Sequence, residues 1–233
     1  MLVTELWRYP VKSLGGERLQ SVRLTEVGLE GDRGWGLYHA DSNTVLTARR
    51  APELLFASAR MAGPNEVVIT LPDGVETNED SVLSRWLGRE VTLARPDDEG
   101  ATYENPMDVD NDTDWVSWQG PGGSFHDSSR SRLSIVGMGS LAGRDVRRFR
   151  TNVVVDGGDE EGLLGTHARL GGAVVDVTKQ IDRCVMVTRP QPGLDRDLSV
   201  LKELVRTRNN RLSVGALVVE GGIVEVGDSL LPL

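Results

Sequence analysis

Short apolar stretches rich in valine recur along the chain, and glycine, proline or aspartate ends most of them. Examples are 67–71 (VVITL), 91–94 (VTLA), 153–156 (VVVD) and 173–177 (AVVDV). β-Branched residues favour strands, whereas Gly, Pro and Asp favour the turns between strands. With 27 glycines and few aromatic residues in 233 positions, the chain is predicted to be mainly β, an α+β fold with a few short helices. Helices are expected after Asp80, after Ser140 and after Asp197, and 217–230 is predicted to be a terminal hairpin.

An acidic segment divides the chain. Residues 97–114 hold eight carboxylates and no basic residue, so this segment is predicted to stay exposed. The expected division is a β-rich domain at 1–95, an acidic linker at 96–124 and a second β-rich domain at 125–233. The aspartates at 108–114 do not make an EF-hand loop. Such a loop needs glycine at its sixth position and glutamate at its twelfth, where this chain has Thr113 and Gln119.

Charge and composition exclude several partners. The net charge of −9 argues against a nucleic-acid partner, because binding phosphates needs a basic face. No apolar run is long enough to span a bilayer, so no membrane association is expected. One cysteine cannot form an intramolecular disulfide, and the N-terminus lacks the basic-then-apolar pattern of a secretion signal. The expectation is a cytoplasmic protein with a reduced thiol.

The single cysteine, Cys184, follows Arg183 and precedes the β-branched run 185–188. This pattern predicts a thiol held where a loop becomes a strand. A fixed cation beside it favours the thiolate, which is both the nucleophile and the metal ligand. The alternative is that Cys184 is a small buried hydrophobe, the commoner fate of an unpaired cysteine.

Cationic and hydroxyl side chains cluster in loops. Lys12 and Ser13 lie on a glycine-flanked turn that suits an anionic ligand, although a solvent-facing turn is the alternative. Arg150 and Asn152 are two residues apart, so on a strand they would project to one face with Arg148. An edge-strand charge row is the alternative there. The turn at 137–140 leads into a helix expected to be capped by Ser140, and amide groups at such a turn can bind anions.

Six short motifs follow one another in an order that resembles the MOSC proteins with an N-terminal β-barrel domain. This type includes the mitochondrial amidoxime reducing components and their bacterial relatives. The motifs are 9–13 (YPVKS), 31–33 (GDR), 47–49 (TAR), 149–155 (FRTNVVV), 183–188 (RCVMVT) and 226–228 (VGD). The resemblance runs nearly end to end and is weakest from about residue 97 to 124. It implies an N-terminal β-barrel-like domain followed by a MOSC β-barrel domain.

The resemblance also implies a site. It implies a molybdenum cofactor held between the two domains, with Cys184 as the protein ligand to the metal and as the catalytic residue. The residues that match cofactor-contact positions are Lys12, Ser13 and Arg33 from the first domain, Arg49, then Ser140, Arg150 and Asn152 from the second, with Arg183 beside the thiol. A soft thiolate suits a transition metal whose other ligands are sulfur and oxo groups. Where this chain has Ile181, the family often carries a second cysteine that is not the ligand.

The implied activity is reduction of small N-hydroxylated substrates, such as hydroxylamines and amidoximes, by oxygen-atom transfer. One cysteine cannot hold an iron–sulfur cluster, so the electrons are expected from a separate donor protein. MOSC domains also end the molybdenum cofactor sulfurases and have been linked to pyridoxal phosphate-dependent partners. On that alternative, Cys184 would carry sulfur as a persulfide. A third alternative is a structural or binding module that has lost the cofactor.

Overall fold

The computed structural model describes residues 1–108 and 113–233. Strands hold 42% of the residues, which confirms the expectation of a mainly β fold. The strands are β1 (Val3–Arg8), β2 (Glu17–Leu19), β3 (Ser21–Thr25), β4 (Gly28–Leu29), β5 (Gly36–His39), β6 (Thr44–Val45), β7 (Ser58–Gly63), β8 (Glu66–Thr70), β9 (Glu76–Thr77), β10 (Val91–Ala94), β11 (Thr102–Asp108), β12 (Thr113–Gln119), β13 (Leu133–Gly137), β14 (Val153–Val155), β15 (His167–Leu170), β16 (Ala173–Asp182), β17 (Arg211–Glu220), β18 (Gly222–Glu225) and β19 (Leu230–Pro232). The α-helices are α1 (Asp80–Leu87), α2 (Met138–Leu141) and α3 (Ser199–Arg208), and short 3-10 helices lie at Pro52–Phe56, Val146–Arg148, Glu160–Leu163 and Val185–Thr188.

The largest sheet joins the two ends of the chain. Its strand order is β19-β15-β16-β17-β13-β14-β1-β2, and β1 pairs antiparallel with β14 so that Leu6 lies opposite Val153. One core packs Leu6 and Leu24 together with Ile135, Val153 and Val214, each at most 1% exposed. The expected boundary at residue 95 therefore does not separate two independent cores, because β1 and β3 bury their apolar side chains in the second half.

Two smaller sheets build the rest of the first half. Their strand orders are β10-β5-β6-β11-β12 and β7-β8-β9. Together with α1 they enclose a core that includes Leu37, Leu54, Ile69, Leu83 and Val91. Within the described ranges no strand order returns to its first strand, so the domain is barrel-like without being a closed barrel.

The segment 96–124 carries a hairpin, which corrects the expectation of an acidic linker. β11 and β12 pair antiparallel with Tyr103 opposite Trp118, and β11 joins the larger of these sheets through parallel pairing with β6. Tyr103 and Phe125 are fully buried beside Val45. The carboxylates dominate the composition, but the aromatic residues supply the apolar face that a hairpin needs. Residues 109–112 of the aspartate-rich run lie outside the described residues.

The C-terminal strands do not form the expected hairpin with each other. Instead β18 pairs with β3, placing Val224 opposite Val22, and β19 pairs with β15. Burial explains the choice, because Val224 enters the large core and is 0% exposed. A Cβ atom at Gly222 would lie 2.1 Å from the Gly172 carbonyl oxygen, so two backbone segments pass where a side chain cannot fit.

The observed helix ends agree in part with the ends predicted from the sequence. α1 ends before Gly88, whose φ of 64° is left-handed, as expected for a C-cap glycine. Asp80 does not cap this helix, because its carboxylate accepts from the Leu93 N–H at 2.8 Å. Ser140 does not cap α2 either, since α2 follows Gly137 and Ser140 lies inside it. Across 1–108 and 113–233, no helix is both long and apolar enough to cross a membrane.

The run after Cys184 forms a 3-10 helix, not the expected strand. The Thr188 hydroxyl donates to the Val185 carbonyl at 2.7 Å and closes this turn. Val187 is 3% exposed and belongs to a core cluster with Val200 and Leu204 of α3. Tertiary packing against a helix has therefore overridden the strand propensity of valine and threonine.

We expect Leu6→Ala to lower the free energy of unfolding by about 2–5 kcal/mol, because it opens a cavity in the core that both halves share. The exposed Val205→Ala on α3 is the control and should change it by less than about 0.5 kcal/mol. Urea denaturation followed by circular dichroism gives both values. Equal effects of the two substitutions would contradict the shared core.

Candidate functional site

A cavity of about 550 Å³ is lined by residues from both halves of the chain. Its volume lies in the range that holds small molecules and cofactors. Eight of the nine site residues that the resemblance implies line it: Lys12, Ser13, Arg33, Arg49, Arg150, Asn152, Arg183 and Cys184. The ninth, Ser140, is not among the lining residues.

The cavity wall is cationic although the chain as a whole is acidic. Among the described residues its lining includes seven lysines and arginines but only two carboxylates, Asp127 and Asp182. Two of the chain's three lysines, Lys12 and Lys179, are among them. The protein has a net charge of −9, yet positive charge is concentrated in this cavity. This concentration favours an anionic ligand there.

Lys12 ties the first half to the start of the second. Its ammonium donates to the Phe125 carbonyl at 2.9 Å and to Asp127 Oδ1 at 2.7 Å. Lys12 is 7% exposed, and burial lowers its pKa while the Asp127 carboxylate opposes that shift. Next to it, the Ser13 hydroxyl oxygen accepts from the Ala48 N–H at 3.0 Å, which leaves its proton available for another acceptor.

Arg33 is the central connection between the two halves. Its guanidinium forms an ion pair with Asp32 and donates to Asn152 Oδ1 at 3.3 Å and to the Arg150 carbonyl at 3.0 Å. The Asp32 side chain is 0% exposed and also accepts from the Tyr9 N–H at 2.7 Å. Burial opposes the charge of Arg33, but the Asp32 carboxylate raises its pKa above the ordinary value. Arg33 is therefore ionised.

Asn152 lies on the second half's side of this connection and is 1% exposed. Its Oδ1 atom accepts from the backbone N–H and the hydroxyl of Ser134, at 3.2 and 2.8 Å, as well as from Arg33. Its amide nitrogen donates to the Trp7 carbonyl at 3.2 Å. With one of its two N–H groups so used, Asn152 mainly fixes the backbone around the cavity.

Arg150 and Asn152 meet the cavity for a different reason than the sequence indicated. Residues 146–148 form a 3-10 helix and β14 begins only at Val153, so the two side chains do not alternate along a strand. Arg150 instead has a left-handed backbone, with φ of 52°. Its guanidinium donates to the Leu14 carbonyl, and burial together with the nearby Arg33 charge lowers its pKa to about 10. Arg150 is still charged near neutral pH.

Three cavity residues share this unusual backbone. Ser13, Arg33 and Arg150 have φ values of 69°, 49° and 52°. Residues other than glycine rarely adopt this region, and each instance costs about 1–3 kcal/mol unless the surroundings impose it. Such conformations concentrate at functional sites, so their convergence on one cavity supports a functional reading.

Arg183 holds the thiol segment in place. It donates to the Leu212 carbonyl through Nε and Nη2 at 3.0 and 2.8 Å, to the Phe149 carbonyl at 2.8 Å and to the Ser213 hydroxyl. Burial lowers the pKa of Arg183 to about 10, which leaves it charged. Through these contacts Arg183 fixes the backbone beside Cys184. Cys184 is half-buried and lines the cavity.

Arg49 and Ser140 have different surroundings. Arg49 lines the cavity, and its carbonyl accepts from Arg189 of the second half at 3.4 Å. The Ser140 hydroxyl donates to Glu160 at 3.0 Å and accepts from Arg208 at 3.1 Å. The side chain of Ser140 therefore serves a buried carboxylate, because the turn at 137–140 faces Glu160 instead of the cavity.

Sequence reasoning missed several cavity residues, among them Thr47, Trp118, His126 and Asp127. His126 and Asp127 follow Phe125 in a segment without periodic pattern, so nothing local to them indicated a site. Three of these residues carry buried polar atoms without a hydrogen-bond partner in the described part of the chain: Thr47 Oγ1, Trp118 Nε1 and His126 Nε2. Native structures leave few such atoms unpaired.

The residues of the described ranges include no group of three or more His, Cys, Asp or Glu side chains that could hold a metal ion. The single thiol and the surrounding cationic side chains are the donor set suited to a soft metal carried on an anionic organic group.

Two family models account for nearly the whole chain. The MOSC N-terminal beta barrel domain matches residues 1–116, and the MOSC domain matches residues 131–231. The chain belongs to the MOSC-domain family. The cavity of this MOSC protein therefore lies where residues of its two matched domains meet.

One solved structure agrees with the fold of this MOSC protein. The YUAD protein from Bacillus subtilis is 14% identical over 98% of this chain and 93% of its own, with a TM-score of 0.51. YiiM from Geobacillus stearothermophilus is 15% identical over 59% of this chain and 74% of its own, with a TM-score of 0.37. At such identities the first likeness shows the fold alone. No curated protein matches the chain significantly.

His126 makes stability depend on pH. Burial, reinforced by the Arg33 charge, lowers its pKa from 6.5 to about 3. Between those values the unfolded chain binds the proton and the folded protein does not, so stability falls as pH drops from 6.5 towards 3. We expect wild type to lose about 2 kcal/mol more than His126→Gln between pH 6.5 and pH 4.5.

Urea denaturation at the two pH values measures this difference, and substitution of the exposed His167 by Gln is the matched control. Between pH 6.5 and pH 4.5, the free energy of unfolding of the His167→Gln control should fall by the same amount as that of wild type. If His126→Gln and wild type lose the same amount, His126 is not held neutral in the fold.

Proposed function

We propose that this MOSC protein binds a molybdenum cofactor in the cavity and reduces small N-hydroxylated substrates. The observation that carries the proposal is the placement of the chain's only cysteine in a cavity lined by seven cationic side chains. The domain name, taken from the C-terminal part of molybdenum cofactor sulfurases, supports an association with this cofactor. When bound, the cofactor would supply two-electron oxygen-atom transfer.

The residues present fit such a group. Cys184 would supply the one protein ligand to the metal, a soft thiolate. Arg33, Arg150 and Lys12 carry the charge to hold a phosphate, and Ser13 has a hydroxyl proton to donate. Arg49 is placed to add a further cationic contact from the first half. Asn152 and Arg183 would act indirectly, because their hydrogen bonds fix the backbone around these side chains.

The net reaction converts an N-hydroxyl compound, two electrons and two protons into the reduced nitrogen compound and water. No iron–sulfur cluster can be built from one cysteine, so a separate donor protein would deliver the electrons. Lys12 and Asp127 form a hydrogen-bonded pair on the cavity wall, and Asp127 is 82% exposed. The pair places an ammonium group on the cavity wall, where it can contact a bound anion. A cytoplasmic location belongs to the same proposal.

We expect Cys184→Ser and Cys184→Ala to lower the rate of hydroxylamine reduction by more than about a hundredfold. Substituting a residue that only hydrogen-bonds to a metal ligand usually lowers activity by about ten- to a hundredfold. Both variants should keep their thermal midpoint within a few degrees, because Cys184 is small and only half buried. Protein from a molybdenum-replete host, reduced chemically, is assayed for activity and for molybdenum per chain.

Molybdenum near one atom per chain together with turnover supports the proposal. A protein without molybdenum that gains a persulfide on Cys184 from a sulfur donor would instead support the sulfur-carrier function. Unchanged turnover in Cys184→Ser would show that the thiol is only a packing residue.

A further inference from the structure

The ring of Tyr9 contacts two arginines that are far apart in the sequence. The guanidinium carbon of Arg33 lies over this ring at 5.0 Å from its centroid, and that of Arg150 lies at 4.4 Å. Tyr9 is 1% exposed and is not among the residues that line the cavity. Its ring can therefore act on a ligand in the cavity through the two arginines without contacting that ligand.

Two guanidinium groups on one ring repel each other, and the hydrogen bonds do not balance both charges. Asp32 forms an ion pair with Arg33, whereas Arg150 donates to the neutral Leu14 carbonyl. The face of an aromatic ring carries partial negative charge and attracts cations, most strongly where water is excluded. The Asp32 and Asp127 carboxylates also favour the charge of Arg150 without a hydrogen bond to it in the described ranges, and the Tyr9 ring adds a direct contact that keeps both guanidinium groups at the cavity.

The ring is fixed in position. The Tyr9 N–H donates to Asp32 at 2.7 Å, and its carbonyl accepts from the Arg33 N–H at 2.8 Å. Trp7 stacks on it with 6.4 Å between centroids, and a Cβ atom at Gly16 would lie 2.6 Å from a ring carbon. The Tyr9 hydroxyl is buried without a hydrogen-bond partner in the described ranges, so the ring face and not the hydroxyl makes the useful contacts.

We propose that Tyr9 is a positioning residue whose ring face holds Arg33 and Arg150 together as a cradle for a phosphate group. Its role in cofactor binding rests on the function proposed above. The cradle itself is a property of these three side chains and can be measured without molybdenum.

The test titrates inorganic phosphate into the full chain by calorimetry. Tyr9→Phe keeps the ring face and should bind within about twofold of wild type, whereas Tyr9→Leu should bind about tenfold more weakly. Because Tyr9→Leu could fail to fold, trifluorophenylalanine at position 9 is the sharper variant. It keeps the shape of phenylalanine but withdraws the negative charge of the ring face, so binding should weaken about fivefold relative to Tyr9→Phe.

The matched control is trifluorophenylalanine at position 38, because the Tyr38 ring packs edge-on against Phe125. It should leave phosphate binding unchanged. Equal affinities of the Tyr9→Phe and fluorinated position 9 proteins, or no phosphate binding by wild type, would overturn the proposal. A graded loss in a protein that never reduces hydroxylamines would support the cradle and reject the reductase function instead.

Discussion

The ion pair between Asp32 and Arg33 holds the two halves of the site together. Asp32 is fully buried, and Arg33 extends the pair to the Asn152 side chain and the Arg150 carbonyl of the other half. Removing one partner of such a pair costs about 3–5 kcal/mol, because the other is left as an unpaired buried charge. The pair is costly to desolvate, so its value lies more in fixing where the halves meet than in stability. The cavity walls follow from that fixed geometry.

An acidic chain builds a cationic cavity by compensating several of its charges locally. Asp127 forms an ion pair with Lys12, and Asp32 forms one with Arg33. Backbone carbonyls accept hydrogen bonds from Arg183, and the face of the Tyr9 ring contacts Arg150. Carbonyls and rings stabilise a cation without cancelling its charge, so positive potential remains in the cavity for an anionic ligand. The left-handed residues that point these groups inward would be unfavourable elsewhere. Binding of an anion would give a physical reason for the positive potential and for the left-handed backbone conformations.

Much of this site could be predicted from residue type and motif order, but its geometry could not. Strand β10 has the expected bounds, whereas the thiol segment became a 3-10 helix because Val187 packs against α3. Arg150 and Asn152 reach one cavity through a left-handed turn, which strand alternation does not describe. The pairing of β11 with β12 was not predicted, because the many carboxylates of this segment outweighed its aromatic residues. Contacts such as Lys12 with Phe125 span 113 positions, and no local pattern encodes them.

We propose that Cys184 is the protein ligand to a molybdenum held in this cavity. X-ray absorption at the molybdenum edge tests it most directly, on cofactor-loaded wild type and Cys184→Ser. We expect one more sulfur atom bound to molybdenum in wild type than in the variant, with molybdenum retained by both through Arg33, Arg150 and Lys12. The same number of sulfur ligands in the two proteins would contradict it.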